Sequence, residues 1–407
     1  MKKSHQYKWV TLLFGMAVFC FWFFVRPAQV VERESFQLFL YNSDNLMERM
    51  ALPGGMARYV GEFLVQFFRF VALGALLSAL LLVAVQWLSW LLLQRSLQSV
   101  GKKILFVVSF LPSIALCYLL CDMDVSMTLP IALLLTLGVM LLLPNKKTSS
   151  LSCTILLVPV GYWLVGPMIV LLPIYHLRWL SQSNSKIAII SQSVGMTLLV
   201  AACIIVSSYF VPYSLQNLAK GLDYQMIQRS KIGTYEEMEY DYLLRLKQWE
   251  KIVRKSNAQV PQSLACKNTV RMAKFYLNQI SDEELKENLL KTDRVLTNGV
   301  SAVMMSDIYL HMGFVNMSQR AAFEVMESAS NYNMSGRALA RLIETNLVTG
   351  QYGVALKYIS ILEDSLLYRH LAQQMRELAT HPEKINEKAV YKSLQEVYGQ
   401  TVDVLFF

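Results

Sequence analysis

The chain has 407 residues, of which 54% are apolar and 16% charged, and a formal net charge of +9. An average soluble domain is roughly 25% charged, so this composition excludes a uniformly soluble protein. Residues 1–211 hold 15 Lys+Arg against 7 Asp+Glu, and residues 212–407 hold 23 against 22. Basic charge concentrated in the apolar part reads as membrane topology and excludes a nucleic-acid surface.

A membrane span needs about 20 mostly apolar residues. The first candidate is 9–25, "WVTLLFGMAVFCFWFFV", after the basic start "MKKSHQYK". A cleaved signal peptide is the rival reading. The bulky run Phe19 to Phe24 and the absence of a small-x-small site before Arg26 favour an uncleaved anchor. Further segments are expected at 72–93, 104–120 and 128–143. The stretch 151–180 is broken by Pro159, by Gly166-Pro167 and by Pro173, and a last apolar run covers 187–211. The cysteines Cys20, Cys117, Cys121, Cys153, Cys203 and Cys266 contain no C-x-x-C pair and imply no disulfide framework.

Basic residues orient these segments. Lys2, Lys3 and Lys8 precede the first, Arg95, Lys102 and Lys103 follow the second, Lys146 and Lys147 follow the fourth, and Arg178 and Lys186 precede the last. Holding them all inside makes the N-terminus cytoplasmic in a bacterial inner membrane. If 151–180 enters and returns as two short helices, 151–165 and 167–180, there are seven segments, and residues 212–407 are periplasmic. A single kinked span gives six segments and a cytoplasmic second half. The seven-segment reading is adopted.

The first outside loop is 26–71. Ser43-Asp44 is read as capping a short helix that ends at Pro53-Gly54-Gly55. Over 56–70, Tyr59, Val60, Phe63, Leu64, Phe67 and Phe68 form one face, and Arg58, Glu62, Gln66 and Arg69 form the other. That pattern predicts an amphipathic helix lying along the outer interface, with Arg58 and Glu62 as an i,i+4 ion pair.

Residues 212–407 read as helices with polar connections. "LHMGFVNMSQRAAFEVMES" and "NLVTGQYGVALKYISILEDS" share a pattern: Gly313 and Gly350 are each followed five residues on by a small residue, Ser318 or Ala355. A helix, a glycine turn and a small residue at the helix contact match a tetratricopeptide repeat, and Gly350 is expected where the paired helices approach. Residues 258–300 hold at most a degenerate third copy, and two unrelated hairpins are the alternative. The fold class is therefore all-α: a polytopic helix bundle over 1–211, followed by a soluble tetratricopeptide-like repeat domain over 212–407. Such repeats bind peptides or proteins.

The loop "ESFQLFLYNSDNLMERMALPGGMARYVGEFLVQFF" and the segment "RALARLIETNLVTGQYGVALKYISILEDSLLYR" resemble a family of uncharacterised multi-spanning bacterial membrane proteins. The resemblance implies a membrane half followed by a helical-repeat half. It brings no known activity.

No Gly-rich phosphate loop, G-x-S-x-G or H-E-x-x-H is present, and the five histidines have no ligand-spaced partners. All acids of 1–211 fall in two outside loops: Glu32, Glu34, Asp44, Glu48 and Glu62 in the first, Asp122 and Asp124 in the second. The plain reading is charge asymmetry between the two sides. The sharper one is an analogy to GT-C-type membrane glycosyltransferases acting on a lipid-linked sugar. Under it, Glu34, Asp44 and Asp122 are the candidate catalytic acids, as general base or as ligands of a divalent metal. Arg33 and Arg58 then meet the phosphate. The first expectation is an integral membrane protein that binds a protein or peptide partner through 212–407, with no cofactor and no nucleic acid. A transporter ranks third, with Gln86 and Gln192 as the main polar groups at mid-depth.

Overall fold

A computed structural model describes residues 2–144, 147–177, 186–224, 232–290, 295–329 and 333–400. Lys146, Arg178, the end of the expected segment 167–180, part of the expected third copy and residues 401–407 lie outside them. Among the described residues the chain is all-helical, with no strand. It divides into two compact units. The first is Met1–Arg26 with Asn42–Arg229, and the second is Pro27–Tyr41 with Ser230–Phe407.

In chain order the helices begin with α1 (Lys2–Cys20), extended by a π-helical turn over Phe21–Val25, and α2 (Pro27–Ser35), which belongs to the second unit. Then come α3 (Ser43–Met50), α4 (Gly55–Val65), α5 (Val71–Ser96), α6 (Lys102–Val108), α7 (Leu111–Leu119) and α8 (Thr128–Leu142). The first unit closes with α9 (Lys147–Val165), α10 (Leu171–His176), α11 (Lys186–Phe210) and α12 (Leu215–Lys220).

Helix α5 is the centre of the first unit and packs on α1, α7 and α8. A polar chain fixes it among apolar neighbours: Thr11 Oγ1 donates to Gln86 Oε1 (3.1 Å), and Gln86 Nε2 donates to Ser109 Oγ (2.8 Å). Gln86 is thus fully committed to helix packing. Five helical stretches among the described residues are long and apolar enough to cross a membrane: Gln6–Val25, Val71–Ser96, Lys102–Leu119, Ser150–His176 and Ile190–Phe210. The fourth is not straight. Ser150 Oγ lies 3.0 Å from His176 Nδ1, so the chain reverses between them, around the 3₁₀ turn Gly166–Val170.

The second unit is a stack of helical hairpins: α13 (Tyr235–Arg245) with α14 (Trp249–Ala258), α15 (Leu264–Tyr276) with α16 (Asp282–Leu290), α17 (Gly299–His311) with α18 (Val315–Ser328), and α19 (Gly336–Val348) with α20 (Tyr352–Glu363). Helices α21 (Arg369–Thr380) and α22 (Ala389–Gln400) follow. One turn closes all four hairpins. Lys247, Asn278, Gly313 and Gly350 each adopt a left-handed φ, at 53°, 55°, 81° and 76°. The next residue donates its N–H five residues back: Gln248 to Leu243, Gln279 to Lys274, Phe314 to Tyr309 and Gln351 to Asn346, at 2.8–3.0 Å. This is the Schellman closure of a helix end.

Sequence patterning finds two of these turns and misses the two in which Lys and Asn take the strained conformation. The small residues sit where expected: Ser318 and Ala355 are fully buried, and Ser318 exchanges hydroxyl-to-carbonyl hydrogen bonds with Ser306 across the α17–α18 contact. Gly350 differs from expectation. A Cβ there meets nothing within 4 Å, so the position is constrained by φ and not by helix approach.

Candidate functional site

Each unit encloses an ionic cluster. In the first unit, Asn42 caps α3 by accepting the Asn45 N–H (2.8 Å), a residue earlier than Ser43-Asp44 suggests. Gly54 then starts α4 from a left-handed φ of 89°. The turn sets the two helices side by side, and Arg49 Nε reaches Glu62 Oε2 at 2.9 Å. Arg58 Nε binds the other oxygen of Glu62 at 2.7 Å, the expected i,i+4 pair. Arg58 also binds Asp223 Oδ1 at 3.0 Å.

All four side chains are buried. The polar stripe of α4 therefore faces protein, while Tyr59, Val60, Phe63, Leu64 and Phe67 are half-buried. Burial works against the Arg58 cation, but Glu62 and Asp223 outweigh it and raise its pKa. Burial raises the Asp223 carboxyl, although Arg58 pulls it down. Asp223 Oδ2 has no hydrogen-bond partner among the described residues.

The other loop residues are placed as follows. Asp44 is exposed, with its carboxylate accepting the Ser43 hydroxyl at 3.4 Å. Asp122 is exposed and accepts the Asp124 N–H at 3.0 Å, a local Asx turn. Arg33 and Glu34 lie on α2 in the second unit, and both are buried. No group of three or more His, Cys, Asp or Glu suited to a metal ion occurs among the described residues.

The second cluster draws on distant segments. Arg337 of α19 grips Asp241 of α13 with two parallel bonds, at 2.7 and 2.9 Å, and also binds Asp307 of α17. Arg341 binds Asp307 (2.6 Å) and Glu344 (2.8 Å). Glu32 of α2 completes the group beside Asp241. Burial, then the Asp241 charge, push the Glu32 carboxyl up to about 8, against the pull of Arg337 and Arg245. Asp307 behaves oppositely: burial raises it, but Arg337 and Arg341 outweigh burial and hold it well below the usual carboxylate range. Sequence reasoning singles out none of Asp241, Asp307, Arg337 or Arg341. The one local signal is the i,i+4 and i,i+3 spacing of Arg337, Arg341 and Glu344 on a single helix face.

A cavity of about 430 Å³ opens where three helix starts meet, at the N-cap residues Thr234, Ser263 and Asn298. Its anion is built in. The Glu237 carboxylate accepts the Thr234 N–H (2.8 Å) and Asn298 Nδ2 (3.0 Å).

A family model described as a family of unknown function (DUF6057) matches residues 3–407. The chain belongs to this family. Both ionic clusters and all four hairpin turns lie within the DUF6057 match. No curated protein and no solved structure matches the chain.

Proposed function

We propose that this DUF6057 protein is a multi-pass bacterial inner-membrane protein whose second unit is a tetratricopeptide-like module that binds a protein or peptide partner. The observation that carries the reading is the recurrence of one left-handed turn in four successive hairpins. Stacked hairpins of this kind form extended surfaces suited to peptides. The membrane assignment is supported by the outward side chains of the first unit: Leu142 is 84% exposed, Tyr209 83% and Ile187 81%. Burying a Leu or Ile side chain in hydrocarbon gains about 1.5–3 kcal/mol relative to water. The reversal between Ser150 and His176 supports seven segments, and with the N-terminus held inside by its basic residues an odd number puts the second unit in the periplasm. No cofactor is assigned.

The test is complementation of a deletion strain, with expression checked by blot. Glu34→Gln, Asp44→Asn and Asp122→Asn, each alone, are expected to complement, while charge reversals on the exposed hairpin surface abolish function. Failure of any one amide at normal expression would favour the transferase analogy instead, since a general base typically contributes about 10²–10⁴-fold in rate. A fluorescent reporter active only in the cytoplasm, fused to the C-terminus, is expected to stay dark.

A further inference from the structure

Residues 27–41 join the second unit from the far end of the chain. The four hairpins each close their own turn from contiguous sequence, and this segment contributes to none of those turns. It meets the first, third and fourth of them in succession. Helix α2 lies on α13, where Ser35 Oγ accepts from Arg245 (3.2 Å) and Glu32 faces Asp241. The Phe36 ring fills the space left by Gly299 at the start of α17, since a Cβ on Gly299 would stand 2.6 Å from it. The Leu38 N–H donates to the Met334 carbonyl (2.9 Å), and its side chain joins Leu339 and Ile343 of α19. The Tyr41 N–H donates to the Asp364 carbonyl (2.7 Å) beyond α20.

Isolated backbone bonds with side chains seated between them are how peptide-binding surfaces hold a ligand: the main chain supplies affinity and the seated side chains supply specificity. The seated groups here are a carboxylate on a helical turn, an aromatic ring and, two residues on, a leucine. Glu32, Phe36 and Leu38 are each at most 5% exposed.

We propose that residues 27–41 occupy in cis the groove through which the second unit takes its partner, and that the partner offers the same pattern: an acidic helical turn followed by bulky apolar side chains at i and i+2. This rests on the reading of the unit as a partner-binding repeat and names the chemistry of that partner. The segment is then an internal competitor, and an outside partner engages by displacing it.

The experiment uses the full chain in detergent, with protease sites inserted after Arg26 and after Asn42. The protein is folded first and then cut, so the segment becomes non-covalent. A fluorescent synthetic peptide of residues 27–41 is added to cut and uncut protein. The cut protein is expected to bind it at least ten-fold more tightly than the uncut protein, and a peptide carrying Phe36→Ala and Leu38→Ala to lose at least ten-fold. As a second arm, uncut protein carrying the same two substitutions is expected to take up the wild-type peptide. The idea is overturned if the cut chain exchanges no peptide and melts as one unit with its own segment, or if uncut wild-type protein binds peptide as well as the cut form. Failure here is distinct from failure of the function proposed above, which is read in cells by complementation and not by peptide exchange.

Discussion

Arg58 anchors a buried ionic cluster and Arg337 a partly buried one, and the two are assembled differently. Around Arg58 most of the arrangement is local. Glu62 is one turn along the same helix, Arg49 comes from the adjoining helix, and only Asp223 is distant in sequence. Around Arg337 only Glu344, held by Arg341, shares its helix, and Asp241, Asp307 and Glu32 arrive from three other helices. The first cluster has two anions for two cations. The second has four carboxylates, Glu32, Asp241, Asp307 and Glu344, with Arg337, Arg341 and Arg245 against them, and burial and Asp241 push the Glu32 carboxyl up to about 8. A local cluster can lose a member and stay partly paired. A cluster drawn from four helices locks their register and tolerates less.

The largest effect should follow from removing the hub of the second cluster. Arg337→Met leaves the buried Asp241 without its two guanidinium bonds and the half-buried Asp307 with Arg341 alone, and breaking a buried pair typically costs about 3–5 kcal/mol. Thermal melting and protease resistance of the second unit in the full chain are the measurements. A change under about 1 kcal/mol would mean that the cluster does not hold the register.

Arg58→Met should cost less, about 1–3 kcal/mol. Glu62 keeps Arg49, and burial already raises the Asp223 carboxyl against the pull of Arg58. Melting in detergent compares the two arginines directly, and equal losses would erase the proposed difference.

The pH response sharpens the same comparison. Glu32 titrates near 4.5 when unfolded and at about 8 in the folded unit, so the folded unit holds an extra proton across that window. Its contribution to stability is full below the unfolded value and is lost as pH rises through about 8. The second unit should therefore melt lower at about pH 8.5 than at about pH 5. Glu32→Gln, neutral throughout, should flatten that slope. Asp307 works the other way: its depressed pKa contributes stability that disappears only in strong acid. A wild-type slope unchanged by Glu32→Gln would place the extra proton elsewhere.

The smallest effect belongs to the turns. Gly350→Ala meets open space but must hold a φ of 76°, so a loss of about 1 kcal/mol is expected. Gly350→Asn should recover part of it, because Asn enters this conformation more readily. A loss of several kcal/mol from Gly350→Ala would restore the steric reading.

How legible these features are depends on how far apart their residues lie. The Arg58–Glu62 pair is visible from spacing alone. The side it faces is not, since periodicity gives a stripe without saying whether water or protein covers it. Gly313 and Gly350 announce their turns, whereas Lys247 and Asn278 adopt the same conformation without any compositional mark. Asp241, Asp307 and Arg337 look like ordinary surface charges until the hairpins stack. Residues 34–41 of the first stretch that carries the family resemblance meet the second stretch in the second unit, where Leu38 shares an apolar core with Leu339 and Ile343.

The placement of α2 also sets a timetable. Ser35 and Arg245 are 210 residues apart in the chain. At a synthesis rate of about 5–20 residues per second, α2 leaves the ribosome roughly 10–40 s before the helix it lies on exists. During that interval Val30, Val31 and Phe36, buried in the finished protein, have no cover from the second unit. Loop closure over such a distance is slow compared with forming any single hairpin. The hairpins should thus assemble first, from contiguous sequence, and the segment made earliest should be the last to dock.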